Sequence, residues 1–175
     1  MTEALTLSRG NDEFGLFVAG IQGRLQRTAW LLTGNWAEAE DLVQSSLAKV
    51  WRRWDRVCET DSPEAYARKL LLNTFLSSRR RRWIGERADE APQPAPVGDP
   101  ADLVAVQVSV RSALARLSSR QRAAVVLRFF DDLSETQVAE ALGCRVGTVK
   151  STTAKALERL RIHPGMRQLL QEAQP

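Results

Sequence analysis

The chain has 175 residues, of which 43% are hydrophobic and 26% are charged, a composition typical of a folded protein. Its longest apolar runs fall far short of the roughly 20 residues that a membrane-spanning helix needs, and its N-terminus lacks the pattern of a secretion signal. Two cysteines, Cys58 and Cys144, and one histidine support neither a disulfide framework nor a zinc site. We therefore expect a cytoplasmic protein with no metal or cofactor and with both cysteines in its core.

The net charge of +4 is unevenly distributed along the chain. Residues 1–87 carry +3, residues 88–102 carry −4 and residues 103–175 carry +5. Residues 85–102 also contain four prolines and two glycines, which favour an extended tether over regular structure. The sequence therefore predicts a domain over 1–84, a linker over 85–102 and a second domain over 103–175. Two basic domains fit a polyanionic partner.

Three helices are predicted in the N-terminal domain. Apolar residues recur at helical spacing from Glu13 to Leu32, and Gly34 closes this helix. Asn35 caps the next helix, which is predicted to reach Trp54. Pro63 takes the favoured first position of the third helix, whose middle, "LLLNTFL", is apolar enough to be buried.

Four helices are predicted in the C-terminal domain, over residues 103–117, 119–130, 135–142 and 146–162. Two of their starts carry a capping box, Ser118 with Gln121 and Ser134 with Gln137. No segment alternates apolar and polar residues as a strand does. The predicted fold class is all-α.

The stretch "ETQVAEALGCRVGTVKSTTA", residues 135–154, is typical of a helix-turn-helix. Ala139 allows close helix crossing, and Gly143 can adopt the positive φ that ends the first helix. The second helix then presents small hydroxyls and long cations, which suit phosphates and base edges in a major groove. A plain amphipathic helix with a solvated basic face is the alternative. The candidate DNA-binding residues are Arg145, Thr148, Lys150, Ser151, Thr152, Lys155 and Arg159.

Two stretches carry a family resemblance. "AEAEDLVQSSLAKVWRRW", residues 37–54, resembles the polymerase-docking region of bacterial sigma factors, and residues 117–151 resemble their promoter-binding fourth region. The chain is similar to extracytoplasmic-function, or group IV, sigma factors of the actinobacterial SigE-like subfamily, over residues 12–84 and 103–162. The resemblance implies a non-enzymatic factor that binds core RNA polymerase and promoter DNA at the −10 and −35 elements, with an anti-sigma factor as a further possible partner.

The resemblance also assigns residues. Asp41, Leu42, Gln44 and Ser45 would contact the β′ clamp helices of the polymerase, with Leu42 and Gln44 on the flanks of the outward face of their helix, while region 4 would meet the β flap. Asn73 and Ser77 would lie at the −10 element. Ser45 and Ser77 stand where the family often has an acidic residue. Four consecutive arginines spread around the helix by 100° each and are predicted to form a cationic collar that binds phosphates; they are Arg79, Arg80, Arg81 and Arg82. Trp83 could stack on a base or be buried.

Other functions are weighed beside this one. A stand-alone, dimeric helix-turn-helix regulator would use residues 1–84 as a sensor. A protein-interaction module would leave the arginine run without a role. An enzyme ranks last, because the sequence holds no candidate catalytic site.

Overall fold

The computed structural model describes residues 2–85 and 110–161, with side chains from residue 12 to 81 in the first stretch. These two stretches contain no strand, which confirms the all-α class. Most of the predicted linker and the tail after Arg161 lie outside them. Within them, no helix is long and apolar enough to cross a membrane. The helices are α1 (Thr2–Thr33), α2 (Trp36–Trp51), α3 (Trp54–Val57), α4 (Pro63–Gly85), α5 (described over 110–115), α6 (Ser119–Phe129), α7 (Glu135–Leu142) and α8 (Val146–Arg161).

The predicted caps form as expected. The Asn35 side chain accepts a hydrogen bond from the Glu38 amide at 3.1 Å, and both capping boxes, at Ser118 and Ser134, are complete. Two boundaries differ from the prediction. Helix α1 begins at Thr2 instead of Glu13, and the second predicted helix is split near Arg52 into α2 and α3.

The core of the N-terminal half lies between α1, α2 and α4. Predicted apolar positions such as Leu32, Val43 and Leu71 are fully buried. Four aromatic rings from α1, α2 and α3 cluster beside this core, and the centroids of contacting rings are 4.9–6.2 Å apart. Such aromatic pairs add to the stability of a core. They belong to Phe14, Phe17, Trp51 and Trp54.

The prediction that both cysteines lie in the core is wrong for Cys58. This residue follows α3 directly, where the chain turns towards α4, and its side chain is exposed. Its thiol donates to the Asp55 carbonyl at 3.4 Å. Cys144 is partly buried and packs against the core.

Helix α6 is the centre of the C-terminal half. Residues 123–127 of this helix are all buried, with α7 and α8 packed around them. Helices α7 and α8 share an apolar core, since Val138, Leu142 and Val149 are buried and Val146 packs against the buried core. This core sets the angle at which α8 leaves the turn.

The two halves contact each other. Helix α1 packs against α6, and α4 packs against α6 and α7, so that the buried apolar residues of both halves form one cluster. The sequence predicts two tethered domains but no such contact.

Candidate nucleic-acid and polymerase interfaces

The turn between α7 and α8 has the geometry that the sequence predicts. Gly143 adopts a φ of +60°, and the Cys144 amide reaches back to the Ala139 carbonyl at 3.0 Å. A left-handed residue with such a bond ends a helix cleanly and lets the next one start at a sharp angle. Arg145 is exposed and directly precedes α8, where its carbonyl accepts hydrogen bonds from the Thr148 and Val149 amides at 2.9 and 3.2 Å.

The outer face of α8 is polar and basic. All the predicted DNA-binding side chains on it are exposed except Thr152, which is half-buried. Its inner face is held by the buried residues Val149, Ala156 and Leu160. The exposed residues are Thr148, Lys150, Ser151, Lys155 and Arg159.

Two of these cations have partners in the free protein. The Lys150 ammonium lies 3.6 Å from the Glu135 carboxylate, and the Arg159 guanidinium donates to the Gln121 amide oxygen at 3.0 Å. Both pairs are at the surface, where such interactions contribute about 1 kcal/mol or less. These contacts orient Lys150 and Arg159, yet they are weak enough for either cation to leave its partner and bind a DNA phosphate.

A second polar stripe runs along α4. Asn73, Ser77, Arg80 and Arg81 are all exposed. Their spacing of four, three and one residues places them on one side of the helix. Among the side chains that the structure describes, the predicted −10 residues are thus brought together, except for one arginine.

That arginine is Arg79. It turns into the fold, where it donates to the Glu38 carboxylate at 3.0 Å and lies over the Phe75 ring. The predicted collar is therefore incomplete, because one of its four cations already holds α4 against α2. The side chains of Arg82 and Trp83 lie outside the described residues.

The predicted polymerase-binding residues lie on α2. Asp41, Gln44 and Ser45 are exposed and share one face, as their spacing requires. The predicted flank position of Leu42 is wrong, since only 7% of this residue is exposed. Helix α2 packs against both α1 and α4, so its buried stripe is wide enough to include Leu42.

The sequence did not point to an apolar groove beside this face. Helices α1 and α2 enclose a groove of about 350 Å³ next to Gln44. Trp51, at one end, is 43% exposed. Large aromatic side chains at the surface are common at protein interfaces. Other residues that line the groove are Phe14, Val18, Gln22, Leu47 and Ala48.

Comparisons with known proteins match both halves of the chain. The Sigma-70 region 2 family matches residues 17–84, and the Sigma-70, region 4 family matches residues 107–160. The RNA polymerase sigma-E factor of Streptomyces coelicolor is 35% identical over 149 residues, which are 85% of this chain and 84% of that protein. The chain belongs to the extracytoplasmic-function RNA polymerase sigma factors.

Further relatives agree. The ECF RNA polymerase sigma factor SigL of Mycobacterium tuberculosis is 30% identical over 143 residues, or 79% of this chain and 81% of that one. The sigma factor RpoE of Bartonella quintana, solved in complex with the anti-sigma factor NepR, has a TM-score of 0.68 at 29% identity, covering 93% of this chain and 99% of that one. The 175-residue chain is thus a sigma factor, which directs transcription by binding core RNA polymerase and promoter DNA. The relatives named above give no support to a stand-alone regulator.

In the described residues, no group of histidine, cysteine and acidic side chains could hold a metal ion. The arrangement of exposed cations, hydroxyls and amides on α4 and α8 is suited to binding nucleic acid.

Proposed function

We propose that the sigma factor divides promoter recognition between its two halves, with α8 on the −35 element and α4 on the −10 element. The observation that carries this proposal is the exposed face of α8, which offers hydroxyls and cations on one side of a helix held by an apolar inner face. A helix of this kind fits a major groove, where lysine and arginine bind phosphates and guanine.

The −10 role rests on the stripe along α4. Asn73 and Ser77 supply hydrogen-bonding groups, and Arg80 and Arg81 supply positive charge one to two turns later. A groove that combines positive charge with hydrogen-bonding groups binds single-stranded DNA, and captured bases offset the stacking lost on strand opening, which is a few kcal/mol per base. We assign strand capture to this stripe.

The polymerase-docking role belongs to the exposed face of α2. Asp41, Gln44 and Ser45 supply its polar contacts, and the neighbouring groove supplies an apolar one at Trp51. Leu42 supports this face from beneath, because it is buried. We propose that the β′ clamp helices bind here and that the β flap binds the C-terminal half.

In this scheme the sigma factor performs no catalysis of its own and acts in the cytoplasm, where the polymerase works. An anti-sigma factor is a further partner class that we propose, since the Bartonella quintana relative was solved with one.

Transcription in vitro tests the proposal. Purified core polymerase is mixed with a genomic promoter library, with and without the sigma factor, and transcript starts are mapped. We expect new start sites that share a −35 and a −10 sequence. A reaction in which the sigma factor adds no start site would contradict the proposal.

A further inference from the structure

Two cations lie on opposite edges of the exposed face of α8. Lys150 and Arg159 are separated by about two and a half turns of the helix, so their side chains leave it in opposite directions. Lys150 lies beside α7, where its ammonium is 3.6 Å from a carboxylate oxygen of Glu135. Arg159 lies beside α6, where it donates to the Gln121 side-chain oxygen at 3.0 Å. Each edge of α8 therefore has its own partner for a cation.

The two partners differ in what remains when DNA takes the cation. Gln121 is neutral, and its side-chain oxygen also accepts a hydrogen bond from the Ser118 amide at 3.2 Å, which stays when Arg159 leaves. Glu135 is an acid whose side chain is 39% exposed, and among the residues that the structure describes its ion-pair partner is Lys150 alone. Once Lys150 binds the DNA, the Glu135 carboxylate faces the duplex as an unpaired negative charge.

The position of Glu135 does not depend on the ion pair. Glu135 is the first residue of α7 and directly follows the N-cap Ser134. The complete capping box fixes this end of the helix, and α7 packs against α8. When Lys150 turns to the DNA, the carboxylate therefore stays at the same edge of α8.

A carboxylate at this edge meets two kinds of group on a duplex. Phosphates repel it, which weakens binding to any DNA sequence. Amino groups attract it, and the cytosine amino group is the donor that glutamate accepts from in the major groove. Adenine also presents an amino group there, but its acceptor N7 lies beside that group and repels a carboxylate. Cytosine is thus the base that best accommodates Glu135.

We propose that Glu135 is a specificity-determining residue of the −35 site, which selects a cytosine beside the phosphate that Lys150 binds. This inference rests on the proposed function, in which α8 binds the −35 element. At a cytosine the carboxylate regains a hydrogen-bond donor, whereas at the other bases it stays unpaired, a difference of about tenfold in affinity. The surface that reads the promoter then includes a residue of α7 as well as those of α8.

Gel-shift titrations with the complex of the sigma factor and core polymerase test the proposal. The DNA is a promoter that this complex transcribes, and each base pair of its −35 element is changed in turn to the other three. For the unmodified chain we expect one position, on either strand, at which cytosine is bound about tenfold more tightly than the other bases.

Glu135→Ala removes the carboxylate and leaves a residue that favours helices. We expect this variant to lose the cytosine preference at that position, because promoters without the cytosine are bound more tightly, and to keep the preferences at the other positions. Glu135→Gln keeps an oxygen acceptor without the charge and should retain part of the preference. Glu140→Ala is the matched control, since it removes the same charge from an exposed residue on another side of α7, and it should change no preference.

The outcomes separate the role of Glu135 from the proposed function. A cytosine preference that persists in Glu135→Ala would overturn the proposal. Equal tightening on every promoter would overturn it as well, because a carboxylate that only repels phosphates acts on all sequences alike. If the unmodified complex shows no base preference at any −35 position, the proposed function itself fails.

Discussion

The two halves meet in a polar contact, in which the Thr28 hydroxyl of α1 lies 2.9 Å and 3.1 Å from the carboxylate oxygens of Asp131, which follows α6. The closed state is the one in which this contact is made. Replacing Asp131 with asparagine isolates the charge of the contact. The asparagine side-chain oxygen can still accept the Thr28 hydrogen bond, while the negative charge is lost. The substitution changes three contributions to the free energy of the contact. Desolvation of the carboxylate disappears, the bond from Thr28 becomes a neutral one, and the contact with Arg68 at 3.8 Å is weakened.

The net direction follows from the pKa of Asp131. A raised pKa means that burial outweighs the Thr28 bond and the charges of Arg68 and Arg27, with Glu64 adding to the rise. The closed state therefore prefers a neutral side chain, and asparagine supplies one. We expect Asp131→Asn to stabilise closure by about 1 kcal/mol, or roughly fivefold in population.

The pH dependence has a defined sign. The closed state binds a proton at Asp131 more tightly than the open state, in which the carboxyl has its ordinary pKa of 3.8. The contribution of this site to closure is complete below that value and is lost as pH rises through the raised pKa. Distances between spin labels on the exposed Cys58 and on Glu158→Cys of α8, in a chain with Cys144→Ser, are measured at pH 5 and pH 8. They should show more closure at the lower pH when Asp131 is present, and a smaller change in Asp131→Asn. An asparagine variant that opens at neutral pH would refute this reasoning, because the Arg68 ion pair would then outweigh burial.

Three further predictions concern the interfaces. In fluorescence anisotropy titrations, Lys150→Ala and Lys155→Ala should each weaken binding of a −35 duplex about tenfold. Each should also reduce the slope of log affinity against log salt concentration by about one. The control Arg116→Ala removes the same charge outside α8 and should change the affinity less. Asp41→Ala should weaken polymerase binding in a pull-down assay and leave duplex binding unchanged; an unchanged pull-down would remove this residue from the docking face. Gly143→Ala should lower the free energy of unfolding by about 1 kcal/mol in urea, because alanine disfavours a φ of +60°, and a stability equal to wild type would contradict this role of the glycine.

Local signals made much of the C-terminal half predictable. Capping boxes at Ser118 and Ser134 and the left-handed Gly143 depend on residues within a few positions of each other, so the sequence alone locates α6, α7 and the turn. The exposed face of α8 follows from the same periodicity. Residue roles at the promoter and on the polymerase stay predictions.

Contacts between distant residues were not predictable. Thr28 and Asp131 are 103 positions apart and belong to no local pattern, so their contact could not be predicted from the sequence. The inward turn of Arg79 depends on Glu38 of another helix. The sequence predicts a flank position for Leu42, whereas this residue is buried because α2 packs against two helices.

A footprint on a promoter identified by transcription tests the central claim most directly. The sigma factor is added to the DNA alone and together with core polymerase. We predict that protection of both elements, about 25 base pairs apart, appears when the sigma factor and polymerase are added together. A symmetric footprint that forms without polymerase would contradict the account, since it would show a dimeric regulator that needs no enzyme partner.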